Sequence, residues 1–239
     1  MALAAAARRG HRLRSGEDGA PAACYQGPME TLTTLVDDHG AALMLWCAIA
    51  FFAGSIPFGL LLAMGFVKTD VRLAGSGNIG ATNVARVAGK KLGLVTLVLD
   101  ALKGAVPALM VTQVTPVDGA SQVVALHGGL VGLSALLGHC FTPWLRFRGG
   151  KGVATGLGVL LALHPEVAGY GLAAFAVAFL ASRVVSVSSL SAAVMVVIAL
   201  FWRGPVDASL VPMLMCLIVI VARHTDNIRR LRRRQELPL

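Results

Sequence analysis

The chain has 239 residues, 56% of them hydrophobic and only 14% charged, with a mean hydropathy of +0.74 and a formal net charge of +9 at pH 7. That balance lies outside ordinary soluble domains and reads as one polytopic membrane unit. The basic residues collect at the ends of apolar runs and in the tails, not along one amphipathic face, which argues against a nucleic-acid partner and for an anionic membrane surface and anionic substrates.

Residues 1–28 carry Arg8, Arg9, Arg12 and Arg14 among Gly, Ala and Pro and lack the apolar core of a signal peptide. They are expected to be a disordered extension with Met29 as the native start, leaving residues 29–239 as the membrane domain. Crossing a hydrocarbon core of about 30 Å takes about 20 apolar residues. Such runs occur at 41–67, 92–114, 121–140, 167–182, 184–202 and 208–222, with a shorter one at 153–163. Apolar all round instead of alternating, they specify helices rather than barrel strands. Ile56-Pro57, flanked by Gly54 and Gly59, is expected to bend the first run.

Orientation follows from lysine and arginine in the connections. The first holds Lys68, Arg72, Arg86, Lys90 and Lys91, and the third holds Arg146, Arg148 and Lys151. The tail holds Arg229, Arg230, Arg232, Arg233 and Arg234, whereas the second and fourth connections carry only Asp118 and Glu166. Alternate connections are therefore basic. The expected fold is an all-α bundle of seven transmembrane helices with the N-terminus outside and the C-terminus cytoplasmic; a re-entrant 153–163 run would put the arginine-rich tail outside.

Three polar stretches lie on the basic side. In GSGNIGATNVAR (75–86), Gly75, Gly77 and Gly80 let backbone amides turn toward one point, and Ser76, Asn78, Thr82 and Asn83 offer side-chain donors. Arg86 supplies a bidentate partner for phosphate. A polar interfacial loop with a charge-rule arginine accounts for the same residues. In GGKGVAT (149–155), Gly149, Gly150 and Gly152 surround Lys151 just before an apolar helix, so an ammonium and helix N-terminal amides would face one anion. This is not a Walker A loop, and an ordinary loop lysine is the alternative. In RHTDNIRRL (223–231), His224 and Asn227 are three apart and share a helical face; the histidine could bind phosphate as a cation or act as a base. His139 ends its span on the same side.

Asp100 and Lys103, three apart inside the second span, are expected to form a structural intramembrane pair. Cys24, Cys47, Cys140 and Cys216 share no ligand spacing, so neither a disulfide framework nor a metal site is expected.

With GSIPFG, DALKG and GHCFTPWLRFRGGKGVATGLG added, these motifs closely resemble, in order from about Gly54 to Glu236, the PlsY family of bacterial membrane acylphosphate:glycerol-3-phosphate acyltransferases. The resemblance implies acyl transfer from acyl phosphate to the sn-1 hydroxyl of glycerol 3-phosphate, giving lysophosphatidic acid and phosphate, the first acylation of phospholipid synthesis, with no cofactor. It also implies a multi-pass protein of the bacterial inner membrane whose active site faces the cytoplasm, among membrane lipids and other phospholipid-synthesis enzymes. Carried over residue by residue, Ser76, Arg86, Lys151, His224 and Asn227 would hold glycerol 3-phosphate, and backbone around Gly149 and Gly150 would cradle acyl phosphate. The rival class is a transporter or binding protein for a phosphorylated solute, which predicts midplane polar groups and repeated halves. A thioester-dependent acyltransferase with a His-x4-Asp pair is excluded, because no histidine has an aspartate five positions later.

Overall fold

A computed structural model describes residues 40–115, 121–204 and 206–236. The expected extension at 1–28, the start at Met29 and the connection holding Asp118 lie outside the described residues. Every regular element among the described residues is helical; the α-helices are α1 (Gly40–Ser55), α2 (Phe58–Val67), α3 (Ala81–Ala88), α4 (Lys90–Val114), α5 (Ser121–Cys140), α6 (Val153–Leu163), α7 (Pro165–Ser182), α8 (Val185–Trp202), α9 (Leu210–Arg223) and α10 (Thr225–Arg232). Five helical segments are long and apolar enough to cross a membrane, one of them α1 and α2 together; α9 and α10 make a sixth if counted as one segment bent by 47°. This is an integral membrane protein, and its outer surface fits: Phe66 and Trp202 are about three-quarters exposed, as side chains facing acyl tails can be.

The first span breaks at Ile56-Pro57, as the sequence predicts, because proline cannot donate the helical hydrogen bond. The carbonyls freed by the break must find donors inside the bundle. Thr142 Oγ1 donates to Ser55 O at 2.7 Å, and Lys103 Nζ donates to Ile56 O at 3.0 Å while resting 5.7 Å from the centre of the Phe58 ring. Lys103 Nζ also lies 2.8 Å from Asp100 Oδ1, so a broken helix, not substrate, occupies this ammonium.

The centre of the bundle is a cluster of Leu136, Val159, Leu160, Val196, Met213 and Ile220, drawn from α5, α6, α8 and α9. Apolar tails of lipid compete with apolar core, so helices in a bilayer associate by close backbone approach. α6 shows this against α4: a Cβ on Gly158 would lie 1.9 Å from Ala101 O, and one on Gly104 would lie 2.3 Å from Thr155 O.

Two helices differ from the rest. α3 and α10 each have eight residues and one apolar face, the form of helices lying at an interface. The 75–86 stretch is thus not a loop throughout: from Ala81 onward it is helix α3, because Val84, Val87 and Ala88 provide an apolar side that packs with Leu60, Ala63 and Val71. Polar residues at helix ends gather in two sets. Ser76, Arg86, Lys151, Ser186 and His224 gather at one end; His164, Arg203, Asp207 and Ser209 gather at the other.

Candidate active site

The three polar stretches meet at a single cavity of about 310 Å³. Ser76, Asn78, Thr82, Asn83, Arg86, His139, Lys151, Gly152, His224 and Asn227 line it, together with Asp100 from α4. Part of the wall is apolar, formed by Leu94 and Leu97 of α4 and Phe175 and Phe179 of α7. Beside it lies a polar hollow of about 150 Å³ that shares Ser76, Asn78, Lys151 and Asn227.

Helix beginnings add positive potential to the cavity. α3 starts at Gly80, whose neighbours Ala81 and Thr82 lie on the wall, and α6 starts at Gly152, with Val153 and Ala154 on the wall. α10 starts at His224. Three N-terminal dipoles thus converge on the space where an anion would sit. The turn into α6 favours glycine at 152, which has φ +84° and where a β-carbon would lie only 3.0 Å from Cys140 Sγ.

Electrostatics agree. Burial brings the Lys151 ammonium down to about 8; the Glu236 carboxylate opposes this, while the Arg230, Arg86 and Arg223 cations add to it. Lys151 therefore stays charged at neutral pH but is held among like charges, a state that an incoming dianion relieves. His224 caps the break between α9 and α10. Its Nδ1 sits 2.8 Å from Ile220 O and, since a carbonyl only accepts, Nδ1 carries the proton and Nε2 is the nitrogen able to take one. Burial, opposed by that carbonyl and aided by Lys151, lowers its pKa and keeps the ring neutral.

Two expectations need correcting. Gly149 and Gly150 do not line the cavity: their amides donate to Cys140 O at 3.1 Å and His139 O at 3.0 Å, so they hold the loop on the end of α5 instead of cradling a phosphate. Asn83 lies on the wall, yet its side chain is spent within the chain. Nδ2 donates to Val71 O and Ala74 O, at 2.7 and 3.1 Å, and Oδ1 accepts from Ser76 N at 2.8 Å. It shapes the first motif so that the Ser76 residue reaches the cavity. Asn78 Oδ1 likewise accepts from Gly80 N at 2.9 Å, leaving only its amide nitrogen uncommitted to that turn.

The sequence reading missed Glu236 and Ser186. The Glu236 carboxylate accepts from Asn227 Nδ2 at 2.6 Å, Arg230 Nε at 2.8 Å and Ser186 Oγ at 3.0 Å. Burial alone would raise its pKa, but these three donors hold it below the usual carboxylate range. It brings α10, the tail and the start of α8 together on one wall. Nine residues beyond Asn227 and behind a run of arginines, it has no local signal; only the chain's return shows it.

Residues 44–234 match the sequence profile of the family described as glycerol-3-phosphate acyltransferase. A glycerol-3-phosphate acyltransferase of Anaeromyxobacter sp. (strain Fw109-5) is 46% identical over 193 residues, covering 79% of this chain and 92% of that protein. One of Myxococcus xanthus (strain DK1622) is 48% identical over 190 residues, covering 79% and 95%. Among solved structures, the glycerol 3-phosphate form of PlsY (YgiH), an integral membrane glycerol 3-phosphate acyltransferase, superposes with a TM-score of 0.75 at 37% identity, covering 83% of this chain and 96% of that one. Its lysophosphatidic acid form gives 0.73 at 36% identity, covering 83% and 95%. The cavity, the motifs that build it and these likenesses lead to one conclusion: the chain belongs to the glycerol-3-phosphate acyltransferase family of integral membrane proteins.

Proposed function

We propose that this protein transfers a fatty acyl group from acyl phosphate to the sn-1 hydroxyl of glycerol 3-phosphate at the cavity, releasing phosphate and lysophosphatidic acid. One observation carries the reading: Lys151, Arg86, Ser76, His224 and Asn227 line the same space as Leu94, Leu97, Phe175 and Phe179. An anionic head group and an acyl chain would each find the chemistry they need, side by side. Relatives that are named glycerol-3-phosphate acyltransferases, and a neighbour solved in glycerol 3-phosphate and lysophosphatidic acid forms, support the same acceptor and product.

The mixed anhydride is already activated, so positioning and charge neutralisation supply the acceleration. Lys151 and Arg86 compensate phosphate charge while the sn-1 oxygen attacks the acyl carbonyl carbon and the carbonyl–phosphate bond breaks. The hydroxyl proton passes to a phosphate oxygen. A second reading, favoured by the His224 tautomer, sends it to Nε2.

In our reading, residues 29–239 are the membrane unit, with seven crossings, the N-terminus outside, and the active site on the cytoplasmic face of the bacterial inner membrane. α6 is the critical element, with 11 residues and a rise of only about 16 Å. It starts at the cavity with Gly152 and ends where His164 Nε2 meets Ser209 Oγ at 2.7 Å, in the opposite set of helix ends. This supports counting it as a crossing, and all the basic connections then share one side. Single cysteines at Gly119 and Gln235, in a cysteine-free background, test it: an impermeant thiol reagent on intact cells should label the first and spare the second.

The chemistry is tested by supplying purified protein and glycerol 3-phosphate with acyl phosphate, acyl-CoA or an acyl carrier protein thioester in parallel. Turnover with acyl phosphate alone is expected. Equal use of a thioester would overturn the donor assignment, and no turnover with any donor would favour a transporter or solute-binding role.

A further inference from the structure

Arg223 stands inside the cationic cluster and invites assignment as one more phosphate ligand. Its hydrogen bonds say otherwise. Nη2 donates to Gly149 O at 2.8 Å and Nε donates to Gly150 O at 3.1 Å, across 74 and 73 residues of chain. The guanidinium also lies 5.5 Å from the centre of the Phe141 ring, which fixes its plane. The amides of the same two glycines are held by Cys140 O and His139 O. The backbone just ahead of Lys151 is thereby clamped on both sides, by α5 through its amides and by α9 through its carbonyls.

We infer that Arg223 is a positioning residue for the glycine-rich loop: its two-pronged grip on the Gly149 and Gly150 carbonyls sets the place of Lys151 beside His224, and it does not bind the substrate phosphate. One further observation fits. Arg223 is also the residue before His224, so one side chain ties the histidine end of α9 to the lysine loop. Only a planar fork can span two successive carbonyls; an ammonium can satisfy one.

The part of the test that uses kinetics rests on the acyl-transfer reading; the part that uses backbone exchange does not. Arg223→Gln and Arg223→Lys are compared with wild type by steady-state kinetics with acyl phosphate, by hydrogen–deuterium exchange of the 141–153 segment, and by thermal unfolding in detergent. Both variants should speed exchange in 141–153 and raise KM for glycerol 3-phosphate about tenfold or more, because Lys151 is no longer held in place. Exchange in α7 and α8 should not change. In Arg223→Gln the alkaline limb of the kcat/KM profile should also move to higher pH, since Lys151 loses a neighbouring cation; in Arg223→Lys it should move less. If KM rises while exchange in 141–153 stays as in wild type, Arg223 is a direct ligand and the inference fails. Wild-type KM and wild-type exchange in either variant overturn it as well. Should Arg223→Gln not fold, Arg223→Lys keeps the charge and yields the same two readouts. Wild-type protein that turns over no glycerol 3-phosphate sinks the proposed function instead, and the exchange comparison still decides the clamp.

Discussion

The two ends of the bundle are both rich in charge, yet they use it in opposite ways. At the far end, Arg203 pairs with Asp207 and, at 3.3 Å, with Glu166, while Asp207 also accepts from Ser209 Oγ at 2.5 Å and Ser209 N at 2.9 Å. His164 Nε2 completes the chain by donating to Ser209, whose own proton is given to Asp207. Positive and negative groups there answer one another, and the network ties the corner between α6 and α7 to the corner between α8 and α9. At the motif end, Lys151 stands among Arg86, Arg223 and Arg230, and Glu236 is the carboxylate that acts on it. That end is short of anion. A closed network stabilises a fold; an unbalanced one is ready for a ligand.

The largest expected effect comes from removing the charge at the centre of the imbalance. Lys151→Ala should lower kcat/KM by about 10³-fold or more, the scale of losing a charged group from a preorganised site, without lowering the unfolding temperature in detergent. Arg86→Lys should cost about 10- to 100-fold because an ammonium cannot offer two parallel bonds to phosphate. Near wild-type rates for both variants would erase the contrast between the ends.

Next comes pH. The Lys151 pKa lies at about 8, below its ordinary 10.5, so the cation is fully present well below pH 8 and is lost as pH rises through that value. Phosphate binds the cation, so KM for glycerol 3-phosphate should stay flat from pH 6.5 to 7.5 and then rise by up to about tenfold per pH unit above pH 8. A KM that stays flat to pH 10 means that Lys151 is not titrating where its surroundings place it.

Much of this end was legible in the sequence because its chemistry is local. Lys151 between glycines, the donors around Ser76, and His224 three residues from Asn227 could be picked out from spacing alone, and the structure gathers them around one cavity. Asp100 and Lys103 could be paired from their i, i+3 separation, and the Pro57 break from the ring that lacks a donor. What could not be read depends on distant backbone. The Gly149 and Gly150 amides look free in the sequence and are taken by carbonyls at the end of α5; Asn83 looks like a donor for substrate and is consumed by Val71 and Ala74. Glu236 and Ser186 become partners only when the tail folds back on α8. Glycines and asparagines advertise hydrogen-bonding capacity without stating where it will be spent.

His224 sharpens the comparison at intermediate magnitude. If a phosphate oxygen of the donor accepts the hydroxyl proton, His224→Gln should keep kcat within about tenfold of wild type, because Nε2 then takes no proton, and the change should fall on KM. If Nε2 is the base, kcat at saturating substrate should fall by about 10²-fold or more with KM preserved, and the reading that routes the proton to substrate gives way.

The smallest effect on catalysis is expected at the far end. Arg203→Gln removes the guanidinium that faces both Asp207 and Glu166, leaving two carboxylates near each other without their cation. The corner formed by His164 and Ser209 should loosen, at a cost of about 1 kcal/mol for partly exposed pairs, seen as a drop of a few degrees in the unfolding temperature. Because none of the network residues named here lines the cavity, kcat and KM at a temperature well below unfolding should stay within about twofold of wild type. A stability loss confined to this variant, beside an activity loss confined to Lys151→Ala, is the signature of two ends with separate duties. If Arg203→Gln instead raises KM for glycerol 3-phosphate as strongly as Arg86→Lys does, the ends are coupled through α6, whose 11 residues lie between Gly152 at the cavity and His164 at the network, and the division of duties is wrong.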